Sequence, residues 1–176
     1  MISRIIVLIL GLILGFMIGY IVFGQSAASS VYTVEEGKCF IDEIIIPGDK
    51  DKILQLIYSA KDSIYIEMYI LSDDEIISGI ERAYYSGVDV KIILEEEVDY
   101  NNNAFMNLVS KGIDVKWSGD AYKLTHSKLM IIDNKTVLLG SPNFTYSGLS
   151  LNREVGIITN CSVEPYLEVF MEDWNR

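Results

Sequence analysis

Nineteen consecutive positions, Ile5 to Phe23, carry no charge, and no other feature narrows the folding options of this 176-residue chain so sharply. A run this apolar is close to the ~20 residues that a helix needs to cross a hydrocarbon core. The expectation is a transmembrane helix, or uncleaved signal anchor, within residues 1–24. Gly11, Gly15 and Gly19 recur every fourth position, the small-residue spacing that lets membrane helices approach one another. A cleaved signal peptide is the competing reading, with Arg4 as its basic start and Ser26-Ala27-Ala28 as a cleavage site. The run exceeds the ~7–15 apolar residues of such a segment, which favours the anchor. Arg4 precedes the helix, and Glu35 and Glu36 come before the next basic residue, Lys38. The positive-inside rule then puts the N-terminus in the cytoplasm and the rest of the chain outside, or secreted if the segment is removed.

Residues 25–37 read as a tether and 38–176 as one folded domain. The formal charge of −11 excludes a protein that coats nucleic acid over its whole surface. It leaves room for a local basic cleft: Lys116, Lys123, Lys128, Lys135 and Arg153 outnumber Asp120 and Asp133 in their stretch. Cys39 and Cys161 are the only cysteines, and His126 is the only histidine. No zinc ligand set can be assembled from them. The cysteines form a disulfide in an oxidising compartment or remain buried thiols.

Within the domain, apolar positions 53, 54, 56 and 57 predict an amphipathic helix over Asp49–Ala60. Ser63–Leu71 alternates as a strand. A helix opened by Asp73 and Asp74 runs through Tyr85 to a stop at Gly87. Val88–Leu94 is a strand, Asn101–Asn103 a loop and cap before a third helix ending at Gly112, and Ile113–Trp117 a short strand. Lys128–Asp133 and Thr136–Leu139 flank Asn134-Lys135, a connection suited to a hairpin. Glu154–Thr159 is a last strand and Glu164–Trp174 a closing amphipathic helix. The order predicts an α/β domain with a mixed, largely parallel sheet flanked by helices. Glu95, Glu96, Glu97 and Asp99 read as a solvated loop, and the tyrosines at 65, 69, 84 and 85 as packing.

The chemistry gathers in one stretch, HSKLMIIDNKTVLLGSPN, from His126 to Asn143. His126 and Lys128, two apart on extended chain, point to one face. The hairpin returns Gly140-Ser141-Pro142-Asn143 beside them, so an imidazole, an ammonium, a hydroxyl and an amide surround one small volume. Such a set suits a phosphate.

This stretch resembles the HKD motif of the phospholipase D superfamily: His-x-Lys, four residues, Asp, six residues, Gly-Ser-x-Asn. His126, Lys128, Asp133, Gly140, Ser141 and Asn143 fill every position, and Glu154 fits an acid that the small nuclease branch carries on the following strand. The resemblance implies that His126 is the nucleophile, forming a phosphohistidine. Lys128 and Asn143, assisted by Ser141, would bind the non-bridging oxygens. Glu154 would hold the other imidazole nitrogen, while Asp133, in the same catalytic motif, would support the hairpin and the lysine. The resemblance implies no metal and no other cofactor. Because the family mechanism uses two histidines, it also implies a homodimer with a composite site, with a phospholipid or a nucleic acid as substrate. A silent phosphate-binding membrane protein is the alternative.

Overall fold

The computed structural model describes residues 39–176, which lie in one compact unit. The expected membrane helix (1–24) and tether (25–37) lie outside the described residues. Among the described residues, no helix is long and apolar enough to cross a membrane.

The elements, in chain order, are β1 (Ile41–Ile46), α1 (Lys50–Ser59), β2 (Ser63–Met68), α2 (Asp74–Tyr85), β3 (Asp89–Leu94) and α3 (Asn101–Ser110). Then come β4 (Asp114–Trp117), β5 (Lys128–Ile132), β6 (Thr136–Gly140), α4 (Tyr146–Ser150), β7 (Glu154–Thr159) and α5 (Glu164–Trp174). The strands form one seven-stranded sheet in the order β1-β7-β6-β5-β2-β3-β4. Alternation sends Ile64, Ile66 and Met68 of β2 to a core shared with Ile53 and Ile57 of α1, Ile76 and Ile80 of α2 and Leu108 of α3. The opposite face packs Ile93, Leu129, Ile131 and Val137 against Val163 and Phe170 at and within α5. The result is three layers, with α1 to α4 on one face of the sheet, α4 through Leu149, and α5 on the other.

The sheet is mixed, but the expectation of a largely parallel one needs correction. Only β2–β3 and β3–β4 run parallel. The pairs β1–β7, β2–β5, β5–β6 and β6–β7 are antiparallel. The cause lies in the connections: the helical crossovers α2 and α3 return the chain in the same direction, whereas a tight turn between β5 and β6 reverses it. That turn sits one residue earlier than Asn134-Lys135. The Lys135 N–H donates to the Ile132 carbonyl at 2.9 Å, and Asp133 (φ 54°) and Asn134 (φ 51°) occupy its centre. Positive φ at both central residues matches the right-handed twist of a hairpin, and Asp and Asn tolerate it.

Local chemistry explains the helix starts. The Asp73 carboxylate accepts from the N–H groups of Glu75 and Ile76 at 3.1 and 3.2 Å, capping α2. Asn101–Asn103 belong to α3 rather than to a loop before it, because the Asn101 side chain is buried and bonded to the strand ends. Two elements were not foreseen, edge strand β1 and short helix α4. The residue pair Cys39–Cys161 is disulfide-bonded with a Cα–Cα distance of 4.9 Å, which ties the segment before β1 to the one after β7.

Candidate active site

The site forms where five strand ends meet: the C-terminal ends of β2, β3 and β6, and the starts of β5 and β7. Lys128 pairs with Met68 at the last rung of β2–β5, and the Tyr69 N–H donates to the Ser127 carbonyl at 2.9 Å just beyond it. This extension of β5 fixes the backbone between His126 and Lys128. His126 itself is exposed at the mouth. Its ring lies 4.4 Å from that of Tyr69, and among the described residues its nitrogens make no hydrogen bond.

Lys128 is only 8% exposed. Its ammonium donates to the His126 carbonyl at 2.8 Å and stands 4.8 Å from the Tyr69 ring centroid. Burial pushes the Lys128 ammonium below the usual lysine value, and the nearby Glu154 carboxylate works in the opposite direction. A buried cation with two N–H donors unused among the described residues is a strong receptor for an anionic oxygen.

β6 and β7 bring the rest. At their last pair Gly140 faces Gly156, and a Cβ on Gly140 would lie 2.5 Å from the Gly156 Cα and 2.6 Å from the Val155 carbonyl oxygen. No side chain fits there, so glycine lets β6 run close beside β7 and carries Ser141 to Glu154. The Ser141 hydroxyl donates to the Glu154 carboxylate and accepts the Val155 N–H at 3.1 Å, while Asn152 Nδ2 donates to Glu154 at 3.1 Å. Glu154 therefore engages Ser141 and Asn152 rather than the imidazole of His126. The Oδ1 atom of Asn143 is buried and has no hydrogen-bond partner among the described residues. An amide left so has a polar group to offer a bound molecule.

Asp133 is not part of this group. It sits at the far end of β5, where its Oδ1 accepts the N–H groups of Lys61, Asp62 and Ser63 at 3.0, 2.7 and 3.0 Å. Burial acts to raise its pKa, but these three N–H groups and the Lys135 charge prevail and hold it below the usual aspartate value. Its work is to lock the α1–β2 connection onto the hairpin. The structure thus gathers His126, Lys128, Ser141, Asn143 and Glu154 around the strand ends and leaves Asp133 at the opposite edge.

Sequence reasoning missed two supports. Glu95, read as solvated, is 2% exposed. Its carboxylate accepts the Thr125 N–H at 2.6 Å, the Ser118 hydroxyl at 3.2 Å and the Glu97 N–H at 3.0 Å. It thereby holds the residue before His126. Glu67 is also buried, its Oε2 without a hydrogen-bond partner among the described residues; burial raises its carboxyl pKa, the Ser127 side chain opposes this, and Asp173 adds to the rise. The sequence signal available for both was a carboxylate inside or directly after a strand otherwise built of apolar residues. The basic excess disperses in three dimensions. Lys116 donates to the Trp174 carbonyl on the α5 face, and Lys135 is exposed at the hairpin turn.

Comparison with known proteins matches the same region. The family described as cardiolipin synthase, PLD-like domain, matches residues 53–174. The phospholipase D of Rickettsia prowazekii is 32% identical over 123 residues, 69% of this chain and 58% of that protein. The cardiolipin synthase of Halalkalibacterium halodurans is 31% identical over 118 residues, 61% of this chain and 22% of that protein. The chain thus spans a fifth to three fifths of the length of these curated relatives. Among solved structures, the phospholipase D family member Nuc from Salmonella typhimurium superposes with a TM-score of 0.72 at 27% identity, covering 78% of this chain and 95% of that one.

Proposed function

The chain belongs to the phospholipase D superfamily, and from that premise we propose that it is a phosphodiesterase working through His126. The observation that carries the reading is an exposed imidazole and a buried ammonium set side by side against the one Tyr69 ring. In the reaction, an imidazole nitrogen of His126 bonds to phosphorus as the bond from phosphorus to the leaving oxygen breaks. Lys128 and the Nδ2–H group of Asn143 donate to the non-bridging oxygens, where charge grows in the transition state. A second histidine protonates the leaving oxygen. Water then attacks phosphorus, the P–N bond breaks, and the second histidine takes the water's proton.

The second histidine comes from His126 of another copy, so the active form is a homodimer with a composite site. Glu154 acts through Ser141, which it fixes by hydrogen bond, and through the charge it presents to Lys128.

The favoured substrate is a phospholipid ester, cleaved to a phosphatidate and an alcohol. Leu124, on the loop leading into His126, is exposed and offers an apolar contact suited to an acyl chain, while Tyr122 on the same loop lies under the Arg176 guanidinium. The uncharged run at Ile5–Phe23 would hold the domain at a membrane. Dispersal of the basic residues weakens the case for a nucleic-acid backbone, leaving Lys123 and Arg153 as its support. The Cys39–Cys161 bond fits a domain on the oxidising, extracytoplasmic side, with the N-terminus cytoplasmic.

The test is turnover by the full chain, in EDTA, of cardiolipin or phosphatidylglycerol vesicles, single-stranded DNA and RNA, with His126→Ala beside it. Lipid turnover lost in the variant supports the reading; cleavage of DNA or RNA alone transfers it to a nuclease. Turnover of none points to a phosphate-binding protein, and an active His126→Ala removes the nucleophile. Crosslinking that yields only monomer in an active preparation would sink the shared site.

A further inference from the structure

We propose that Tyr69 is a positioning residue of this site: its ring is the common wall that holds the His126 imidazole and the Lys128 ammonium in fixed relation. The proposal rests on the phosphodiesterase reading for its kinetic consequence, but not for its geometry. An exposed imidazole with no hydrogen-bonded nitrogen has several staggered rotamers open to it. The contact that orders the His126 ring is the Tyr69 ring, tilted by 60° at 4.4 Å. The same ring lies 4.8 Å from Lys128 Nζ, within the range of cation–π attraction. One aromatic side chain therefore touches both groups that must meet the phosphate.

A wall is useful only if it stands still, and Tyr69 is pinned through its backbone on both sides. Its N–H donates to the Ser127 carbonyl at 2.9 Å, between the two residues its ring contacts. Its carbonyl accepts from Asn101 Nδ2 at 2.9 Å. Asn101 is fully buried; it also donates to the Glu95 carbonyl at 2.8 Å and accepts the Leu71 N–H at 3.0 Å. Glu95 in turn holds the Thr125 N–H at 2.6 Å. Both approaches to His126, through Thr125 and through Ser127, thus lead back to the one buried amide that anchors Tyr69.

The ring, not the hydroxyl, makes both contacts, and this separates the proposal from a general packing role. The full chain carries a single histidine, so selective labelling of histidine gives one imidazole signal that reports the Tyr69 ring current directly. Tyr69→Phe should keep that signal in place. Tyr69→Leu should move it downfield and, with cleavage of an activated aryl phosphodiester as readout, lower kcat by about ten- to a hundredfold through misplacement of the nucleophile. KM should stay within about twofold.

Fluorinated phenylalanines at position 69 keep the shape and withdraw ring electron density, so they remain informative should Tyr69→Leu fail to fold. Each added fluorine should lower kcat further, as the Lys128 ammonium loses its aromatic partner. An imidazole signal unchanged in a folded Tyr69→Leu, a Tyr69→Phe as impaired as Tyr69→Leu, or a kcat indifferent to fluorination would each overturn the proposal. A wild-type chain inactive on every phosphodiester, yet showing the ring-current response, would retain the clamp and refute the proposed function instead.

Discussion

Replacing Asp133 separates the role the geometry gives it from membership of the catalytic group. Its Oδ1 accepts three backbone N–H groups, of Lys61, Asp62 and Ser63. Asp133→Ala removes the acceptor from all three. Ser63 is only 4% exposed, so its N–H is left dry, at a cost of about 1–3 kcal/mol. Lys61 and Asp62 are exposed, and their N–H groups can turn to water at about 0.5 kcal/mol each. The sum is about 3 kcal/mol, or about 6–12 °C in Tm for a chain of this size. Asp133→Asn keeps one carbonyl acceptor and loses only the charge, and should cost about 1 kcal/mol.

The pH dependence is set by the sign of the shift. The folded pKa of Asp133 lies below the ordinary aspartate value, so its charge stabilises the fold above the unfolded value of about 3.9. That contribution is lost as pH falls through the lower, folded value. The gap between wild type and Asp133→Ala should therefore be constant at neutral pH and narrow below about pH 4. Urea unfolding at pH 7 and pH 3 measures it, with kcat/KM of Asp133→Asn recorded at pH 7 under native conditions. A loss of kcat comparable with that of His126→Ala, at unaltered unfolding, would refute the structural role and restore Asp133 to the chemistry.

Gly140→Ala should destabilise by about 2–4 kcal/mol, since its Cβ would meet backbone atoms of β7 that cannot yield; a wild-type melting curve would show that β6 and β7 can separate there. Glu95→Gln keeps an acceptor for Thr125 but loses its charge, and should lower kcat about tenfold with stability changed by about 1–2 kcal/mol; unaltered kcat in a steady-state assay would disconnect Glu95 from His126. Cys161→Ser opens a loop whose ends are 122 residues apart, for which chain entropy gives a loss of up to about 5 kcal/mol; an unfolding midpoint insensitive to reductant would contradict the bond.

How much of the fold and site was legible beforehand depended on whether a residue's partners were near it in sequence. Glu154–Thr159 and Glu164–Trp174 are found where alternation and helical period put them, because both patterns are local. β1 escaped notice because Ile44, Ile45 and Ile46 run together and hide the alternation that buries Ile44 and Ile46 but exposes Ile45. α4, at five residues, is too short to show a period. The sheet's direction was misjudged since β2 pairs with β5 across sixty or more positions, a choice no window of sequence contains. The motif residues could be named because their spacing is itself the signal. Glu95 and Asn101 could not: each looks polar and solvated until the chain folds remote N–H and carbonyl groups around it.

The disulfide also decides how the domain would bear a mechanical load. An edge strand held by an antiparallel ladder is easily peeled, rung by rung, by tension on its free end. β1 is such a strand, and its ladder with β7 begins at Ile41–Thr159. In the same register Phe40 comes next, opposite Asn160, and the pair beyond it is Cys39 with Cys161, where the two segments are joined covalently. Tension entering through the chain before residue 39 passes across the sulfur bridge into the segment between β7 and α5 and never reaches the first rung. The strand that looks most vulnerable to being pulled away is shielded from the pull for as long as the bridge stays oxidised.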